Sequence, residues 1–155
     1  MAELRIAPQP PESTLAVALL DRYYSELEAR FSDGFALART SAAAPAELTP
    51  PHGLFLLAWQ RRRAVGCGGV RRLEADAAEI KRMWVDSAVR GLGVGRSLLA
   101  ALERGAVELG CRTVRLDTAA ALTEALALYR SAGYADIPAY NENPYAAHWL
   151  EKRLS

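Results

Sequence analysis

Three apolar runs between Gly53 and Val85 constrain the fold more than any other part of this 155-residue chain. The runs cover residues 53–59, 64–73 and 77–85, and only a few polar residues separate each run from the next. Runs of this length are typical of β-strands, and such short turns join antiparallel neighbours. The sequence therefore predicts an antiparallel meander at the centre of the domain.

Periodic patterns on either side of this meander predict further elements. An amphipathic helix is expected from residue 12 or 13 onward, because apolar side chains recur there every four positions, at Leu15, Leu19, Tyr23 and Leu27. We also predict helices over 93–109 and 122–132, strands over 4–7, 113–116, 134–137 and 147–154, and a short helix near 35–39 in the otherwise irregular segment 31–51. The chain, 1–155, is thus predicted to be one α+β domain with a mixed sheet.

Composition excludes several classes of function. The chain has 19 Lys and Arg against 18 Asp and Glu, a net charge of +1, so a nucleic acid or a membrane is not expected as a partner. No signal peptide is apparent, and no window approaches the roughly 18 apolar residues of a membrane span, so we expect a cytoplasmic protein. Two cysteines, Cys67 and Cys111, and two histidines, His52 and His148, do not have the spacing of a metal site.

A glycine-rich loop lies between the third strand of the meander and the helix that follows. In Arg90-Gly91-Leu92-Gly93-Val94-Gly95-Arg96-Ser97, three glycines alternate with larger residues, which is more than a plain tight turn requires. Glycines let backbone N–H groups converge on an anion, and the first turn of the helix adds N–H groups and the positive end of its dipole. The pattern therefore predicts a phosphate-binding loop.

Two common nucleotide-binding motifs do not match this loop. A P-loop requires Gly-Lys-Ser/Thr, whereas Gly95 precedes Arg96. A dinucleotide-binding fold requires G-x-G-x-x-G, and the third glycine position holds Arg96 or Leu98, depending on where the count begins. Asp117 lies at about the distance at which that fold has an acidic residue, but the glycine spacing and the antiparallel meander argue against NAD.

The segment R-G-L-G-V-G resembles the Q/R-x-x-G-x-G/A signature of the GNAT N-acetyltransferases. Residues 78–85, A-E-I-K-R-M-W-V, are similar to the central strand of that family, and residues 128–134, L-Y-R-S-A-G-Y, to its L-Y-x-x-x-G-F/Y segment. Residues 138–154 resemble a bacterial branch of small single-domain members. The resemblance covers about 53–154 and implies a three-layer α+β fold, in which helices flank a central mixed, mostly antiparallel, splayed β-sheet.

The resemblance also implies an acetyl-CoA-dependent enzyme in which a primary amine attacks the thioester directly within a ternary complex. The backbone of Met83, Trp84 and Val85 would pair with the pantetheine arm, which requires the sheet to splay beyond Val85. The pyrophosphate would be bound by the loop residues Arg90, Gly91, Leu92, Gly93, Val94, Gly95, Arg96 and Ser97.

Tyr129 matches a position at which members of the family often have a tyrosine near the thioester sulfur, and the resemblance implies that it is the catalytic acid. A phenol has an ordinary pKa of about 10, so it stays protonated at neutral pH and can donate. The alternative is a core aromatic, since Leu122 and Leu126 share its helical stripe. Relatives often have an asparagine where this chain has Leu122, so a cofactor contact there is absent or comes from Thr118 or Thr123.

Glu79 occupies the A-E-I position at which histone-acetylating members carry a catalytic base. A glutamate has an ordinary pKa of about 4.3, so it needs desolvation or a relay water to act as a base. The alternative is a solvent-facing strand residue paired with Arg71, Arg72 or Arg82. In that case a chain of water molecules removes the proton, as in many relatives.

The acceptor is not specified by the sequence. Tyr24 in the first helix, and Tyr140 and Asn141 in the loop before the last strand, are candidates for acceptor binding. We expect either a small-molecule amine or a protein amine, and a monomer or a homodimer. The alternative function is a non-catalytic acyl-CoA-binding sensor or interaction domain, against which the presence of Tyr129 argues.

Overall fold

The computed structural model describes residues 3–30 and 45–155. In chain order the described elements are β1 (Leu4–Pro8), α1 (Thr14–Arg30), β2 (Gly53–Gln60), β3 (Arg63–Glu74), β4 (Ala77–Val85), α2 (Val94–Glu108), β5 (Thr113–Thr118), α3 (Thr123–Ser131), β6 (Ala135–Asp136) and β7 (His148–Arg153). Short 3₁₀ helices cover Pro45–Leu48 and Ser87–Val89. The order of the predicted elements is confirmed, and their ends agree within a few residues. The helix expected near 35–39 lies outside the described residues.

The strands form one mixed sheet in the order β1-β2-β3-β4-β5-β7-β6. All neighbouring strands are antiparallel except β4 and β5, which are parallel because α2 carries the chain back between them. The core on one face contains residues of α2 and α3, and the core on the other contains residues of α1. The predicted three-layer, mostly antiparallel fold is therefore confirmed.

Helix α2 packs closely on β3 because Gly68 of that strand leaves room for it. A Cβ atom at Gly68 would lie 2.8 Å from Leu102 Cδ1, and Leu102 is fully buried. A Cβ atom at Gly66 would instead lie 2.9 Å from the carbonyl oxygen of Trp84 on β4. A larger side chain at Gly68 would therefore displace Leu102 and disturb the core beneath the helix.

The buried face of α1 differs from the predicted stripe. Leu19 and Leu27 are buried as expected, but Leu15 is 39% exposed, and Ala16 and Leu20 lie in the core instead. A step of four residues exceeds the 3.6-residue helical turn by about 40°, so a stripe from Leu15 to Leu27 rotates by about 120° around the helix. Its first residue therefore points to solvent, and the prediction was wrong for Leu15.

A bulge in β4 changes which side chains face each layer. Opposite β3, the strand contains one extra residue near Arg82, whose φ is 56°. Before the bulge, Ile80 packs in the core beneath α2. After it, Met83 and Val85 pack on that side, and Trp84 packs on the side of α1. If the same residues formed a regular strand with no bulge, their alternation would turn Trp84 toward α2.

Candidate active site

The parallel strands β4 and β5 separate after Glu79 and Arg115, which are their last paired residues. The sequence predicted a separation beyond Val85, and the structure begins it earlier on β4. From there on, no described strand pairs with the β4 edge of residues 83–85 that faces β5. An extended ligand can therefore bind along this edge as an additional strand would.

The separated strands border two adjoining cavities. The larger, of about 390 Å³, extends from the glycine loop between α1 and α3. The smaller, of about 120 Å³, lies between the ends of β4 and β5 and residues of the loop before β7. Both cavities are lined by Tyr23, Leu27, Met83, Leu122, Ala125 and Tyr129. A ligand group in one cavity therefore lies beside a group in the other, with Tyr129 at the boundary.

The glycine loop lines the larger cavity through Gly91, Gly93, Gly95 and Arg96. Gly91 and Gly93 have φ values of 86° and 85°, a left-handed conformation that costs other residues free energy. Five backbone N–H groups of the loop donate no hydrogen bond to any described residue: those of Gly91, Gly93, Val94, Gly95 and Arg96. The N–H of Ser97 bonds the carbonyl of Gly93 at 3.1 Å, and that of Leu92 the carbonyl of Val89 at 3.4 Å. Five of the loop's N–H groups are thus available to an anion.

Four charged side chains connect α1, α3 and the glycine loop at the larger cavity. Glu26 of α1 accepts hydrogen bonds from Arg90 at 2.7 and 2.8 Å and from Trp84 Nε1 at 3.1 Å. Arg30 donates to Glu26 at 3.2 Å and to Glu124 at 3.0 Å. Burial alone would raise the pKa of Glu26, but the hydrogen bonds from Arg90 and Trp84 hold it below its usual value. The hydrogen bond from Arg30 lowers the pKa of Glu124 to about 2.

Tyr129 is 6% exposed and lines both cavities. Its ring packs edge-to-face with Tyr134 at a centroid distance of 6.0 Å. Within the described residues, its hydroxyl forms no hydrogen bond. Burial raises the pKa of Tyr129 well above the ordinary value, and the carboxylate of Asp117 raises this pKa further. The hydroxyl is therefore a proton donor at neutral pH, located where the cavities meet.

Glu79 is only 1% exposed, and its carboxylate lines neither cavity. Arg71 donates to its Oε1 from Nε at 3.0 Å and from Nη2 at 2.9 Å, and the Tyr140 hydroxyl donates to its Oε2 at 2.8 Å. Pairing with Arg71 was one of the alternatives weighed for this residue. The residue is nevertheless buried, so the description of it as solvent-facing was wrong.

The loop before β7 is held to β5 through Asp117. Asn141 Nδ2 donates to one carboxylate oxygen of Asp117 at 2.6 Å, and Asn143 Nδ2 donates to the other at 3.2 Å. Trp149 Nε1 donates to Asn141 Oδ1 at 2.9 Å. In the sequence, the position of Asp117 suggested only a possible part in dinucleotide binding. The alternation Asn141-Glu142-Asn143 is the signal that could have indicated a bridging loop.

The three candidate acceptor residues lie in different surroundings. Tyr24 lines the smaller cavity, whereas Tyr140 and Asn141 line neither cavity. Two neighbours in the same loop, Asn143 and Tyr145, line the smaller cavity instead. The loop therefore reaches the cavity, but through residues other than the predicted Tyr140 and Asn141.

The described part of the chain has neither a membrane-spanning helix nor a metal-binding cluster. No helix in residues 3–30 and 45–155 has the length and apolar character needed to cross a bilayer. The same residues contain no group of three or more His, Cys, Asp or Glu side chains arranged to hold a metal ion.

Comparison with known proteins identifies a common family. The model of the acetyltransferase (GNAT) family matches residues 17–134. An IAA acetyltransferase from Azospirillum brasilense is 33% identical over 140 residues, which cover 88% of this chain and 87% of that protein. A crystal structure from Klebsiella pneumoniae, of a protein assigned as an acyl-CoA N-acyltransferase, covers 100% of both chains with a TM-score of 0.80 and 29% identity.

A further comparison concerns the fold alone. The GNAT acetyltransferase from Elizabethkingia anophelis, whose structure was determined with acetyl-CoA bound, superposes with a TM-score of 0.65. The superposition covers 97% of this chain and 98% of that one, and the sequences are 17% identical. The fold of this chain thus has a counterpart among solved GNAT structures.

Proposed function

Because the chain belongs to the GNAT acetyltransferase family, we propose that it is a single-domain enzyme that transfers an acetyl group from acetyl-CoA to a primary amine in a ternary complex. The observation that carries this proposal is the position of Tyr129 at the boundary of two cavities, one of which begins at the glycine loop. The larger cavity would take the cofactor, and the smaller would take the acceptor.

The larger cavity has the features that coenzyme A requires. The free N–H groups of the glycine loop suit the pyrophosphate, and the open β4 edge at residues 83–85 suits the amide-containing pantetheine arm. Leu122 and Leu128 give the cavity an apolar wall in place of the asparagine that relatives often have. Acetyl-CoA, when bound, supplies the acetyl thioester.

The proposed reaction moves one acetyl group and two protons. The neutral amine nitrogen bonds to the acetyl carbon, the carbon–sulfur bond breaks, and Tyr129 donates its hydroxyl proton to the leaving sulfur. The nitrogen loses a proton to solvent. Tyr129 is reprotonated from solvent before the next turnover, because burial strongly favours its neutral form.

The position of Glu79 favours a water chain as the proton acceptor. Its carboxylate lies outside both cavities and accepts hydrogen bonds from Arg71 and Tyr140. The smaller cavity is lined by the polar side chains of Asp117, Thr118 and Asn143, which can hydrogen-bond ordered water. We therefore assign deprotonation of the amine to water in that cavity.

The test is the release of free thiol from acetyl-CoA across a panel of small primary amines and peptides with free N-termini. We expect at least one amine to stimulate release by the wild-type protein, and Tyr129→Phe to release far less with the same amine. Tyr134→Phe is the matched control, since that residue packs against Tyr129 but lines neither cavity.

The same panel distinguishes the alternative function. If acetyl-CoA binds but no amine stimulates thiol release, the protein is a non-catalytic acyl-CoA sensor and the proposal fails. A thermal shift with NAD in place of acetyl-CoA would contradict the assignment of the glycine loop. A shift with acetyl-CoA alone agrees with it.

A further inference from the structure

We propose that Glu79 and Asp117 are positioning residues that hold the β6–β7 loop (residues 137–147) as a wall of the acceptor cavity. The two carboxylates lie on the two strands that separate, Glu79 at the last β4–β5 pair and Asp117 two residues beyond the β5 end of that pair. Each accepts a hydrogen bond from a side chain of this loop. The loop is thereby fixed to both sides of the opening.

The attachment to β4 depends on a buried carboxylate. Tyr140 donates to Glu79 Oε2 at 2.8 Å, and Arg71 neutralises the opposite oxygen through two hydrogen bonds of 3.0 and 2.9 Å. Hydrogen bonds to a charged acceptor are stronger than those between neutral groups, particularly away from water. Arg71 also forms an ion pair with Glu47, which follows the segment outside the described residues. Glu79 thus connects the loop to the centre of the sheet.

The attachment to β5 is made by two amides on one carboxylate. Asn141 and Asn143 each donate to a different oxygen of Asp117. The same side chains organise the loop itself, because Asn141 Oδ1 accepts from the backbone N–H of Asn143 at 3.2 Å, and Asn143 Oδ1 accepts from that of Tyr145 at 3.0 Å. Asp117 therefore fixes the residues that determine the backbone path of the loop.

The consequence concerns the acceptor. Asn143 and Tyr145 line the smaller cavity, while Tyr140 and Asn141, which make two of the three attachments, do not. Loss of the attachment made by Tyr140 or Asn141 should therefore change binding of the acceptor without removing any group from the cavity. This inference rests on the proposed function in taking the smaller cavity as the acceptor site, and its first experiment needs neither cofactor nor acceptor.

The first experiment is hydrogen–deuterium exchange of the intact protein, read in peptides that cover residues 137–147. Tyr140→Phe removes only a hydroxyl, and Asn141→Ala removes the amide that bonds Asp117. We expect exchange across the loop to be faster by roughly tenfold or more in each variant, since each loses a hydrogen bond to a carboxylate. Tyr134→Phe, which removes a hydroxyl that donates to Glu103 at 2.9 Å, should leave the loop unchanged. Unchanged loop exchange in both test variants would overturn the inference.

The second experiment separates positioning from base catalysis. With the best acceptor amine of the thiol-release panel, Glu79→Gln and Tyr140→Phe should each raise the KM of the amine by roughly tenfold, leave the KM of acetyl-CoA unchanged and change kcat little. If Glu79 were the base, Glu79→Gln alone would lower kcat by about 10²–10⁴ and Tyr140→Phe would resemble wild type. That outcome overturns the assignment of Glu79. If no amine is acetylated, the proposed function fails, and the exchange experiment still decides whether the carboxylates hold the loop.

Discussion

The Arg30 guanidinium donates a hydrogen bond to the Glu124 carboxylate at 3.0 Å and so joins α1 to α3 beside the larger cavity. This pair and the neighbouring pair of Glu26 and Arg90 connect three parts of the chain that are distant in sequence. The structural elements that border the larger cavity are therefore held together by charge as well as by apolar packing.

The ion pair of Glu124 predicts how stability responds to acid. The folded pKa of about 2 is below the ordinary glutamate value of about 4.3, so the pair stabilises the fold above pH 4.3 and the contribution is lost as the pH falls toward 2. The Glu124 side chain is 45% exposed, which limits the contribution to about 1 kcal/mol or less.

Denaturant unfolding across this pH range measures the effect. Glu124→Gln should be less stable than wild type near neutral pH, and the difference should shrink toward pH 2. Glu28→Gln is the control, because this exposed residue of α1 forms no ion pair within the described residues. A constant difference between Glu124→Gln and wild type at every pH would contradict the assignment.

Replacement of Gly93 tests the glycine loop. Its φ of 85° costs a residue with a Cβ atom about 1–2 kcal/mol, and a β-branched residue more, although no atom obstructs the Cβ position. Gly93→Val should therefore weaken coenzyme A binding by at least tenfold in calorimetric titration. Asn adopts positive φ more readily, so Gly93→Asn should bind more tightly than Gly93→Val. Equal affinities of the two variants would argue that backbone conformation here does not control binding.

Removal of the Tyr129 hydroxyl tests the proposal that this residue is the catalytic acid. Tyr129→Phe should lower kcat by about 10²–10⁴ while the KM of acetyl-CoA stays near the wild-type value, because the ring remains in the cavity wall. Since burial raises the pKa of Tyr129, the wild-type rate should not decline between pH 7 and the ordinary tyrosine pKa of about 10 through loss of this proton. A Tyr129→Phe variant with full kcat would remove the residue from the mechanism.

Two leucines of α1 test which face of the helix is buried. Leu19 is 2% exposed, so Leu19→Ala should reduce the free energy of unfolding by about 2–5 kcal/mol. Leu15 is 39% exposed, and Leu15→Ala should change the free energy of unfolding by no more than about 0.5 kcal/mol. Denaturant titration measures both. If both variants lost similar amounts of unfolding free energy, Leu15 would be packed as Leu19 is, as the apolar stripe in the sequence predicts and contrary to the observed burial.

Local patterns in the sequence predict most of the scaffold. Residues 77–85 were predicted as a strand from apolar spacing and turn residues alone, and β4 has the same bounds. The glycines at 110 and 133 both have positive φ, as expected of residues that follow helices. These features depend on a few neighbouring residues, which is the range over which a single sequence is informative.

Long-range partners could not be predicted in the same way. The hydrogen bond between Glu79 and Tyr140 joins residues 61 positions apart in the sequence, and that between Asp117 and Asn141 joins residues 24 positions apart. No residue near Glu79 in the sequence indicates that a tyrosine hydroxyl, rather than water, donates a hydrogen bond to its second carboxylate oxygen. The point at which β4 and β5 separate is likewise set by how two strands distant in sequence twist apart, so the prediction placed it too far along β4.

The extra residue that β4 carries near Arg82 keeps the rest of the strand in its register with β3, because Lys81 pairs with Gly69 before the bulge and Trp84 pairs with Cys67 after it. If the same residues paired with β3 without a bulge, every side chain beyond Arg82 would exchange faces. Trp84 would leave the packing beneath α1, and Val85 would leave the side of α2 that borders the glycine loop. Removal of the bulged residue, by contrast, would leave Trp84 opposite Cys67, so a deletion at Arg82 should preserve these faces, whereas a slip of one residue in the pairing should not.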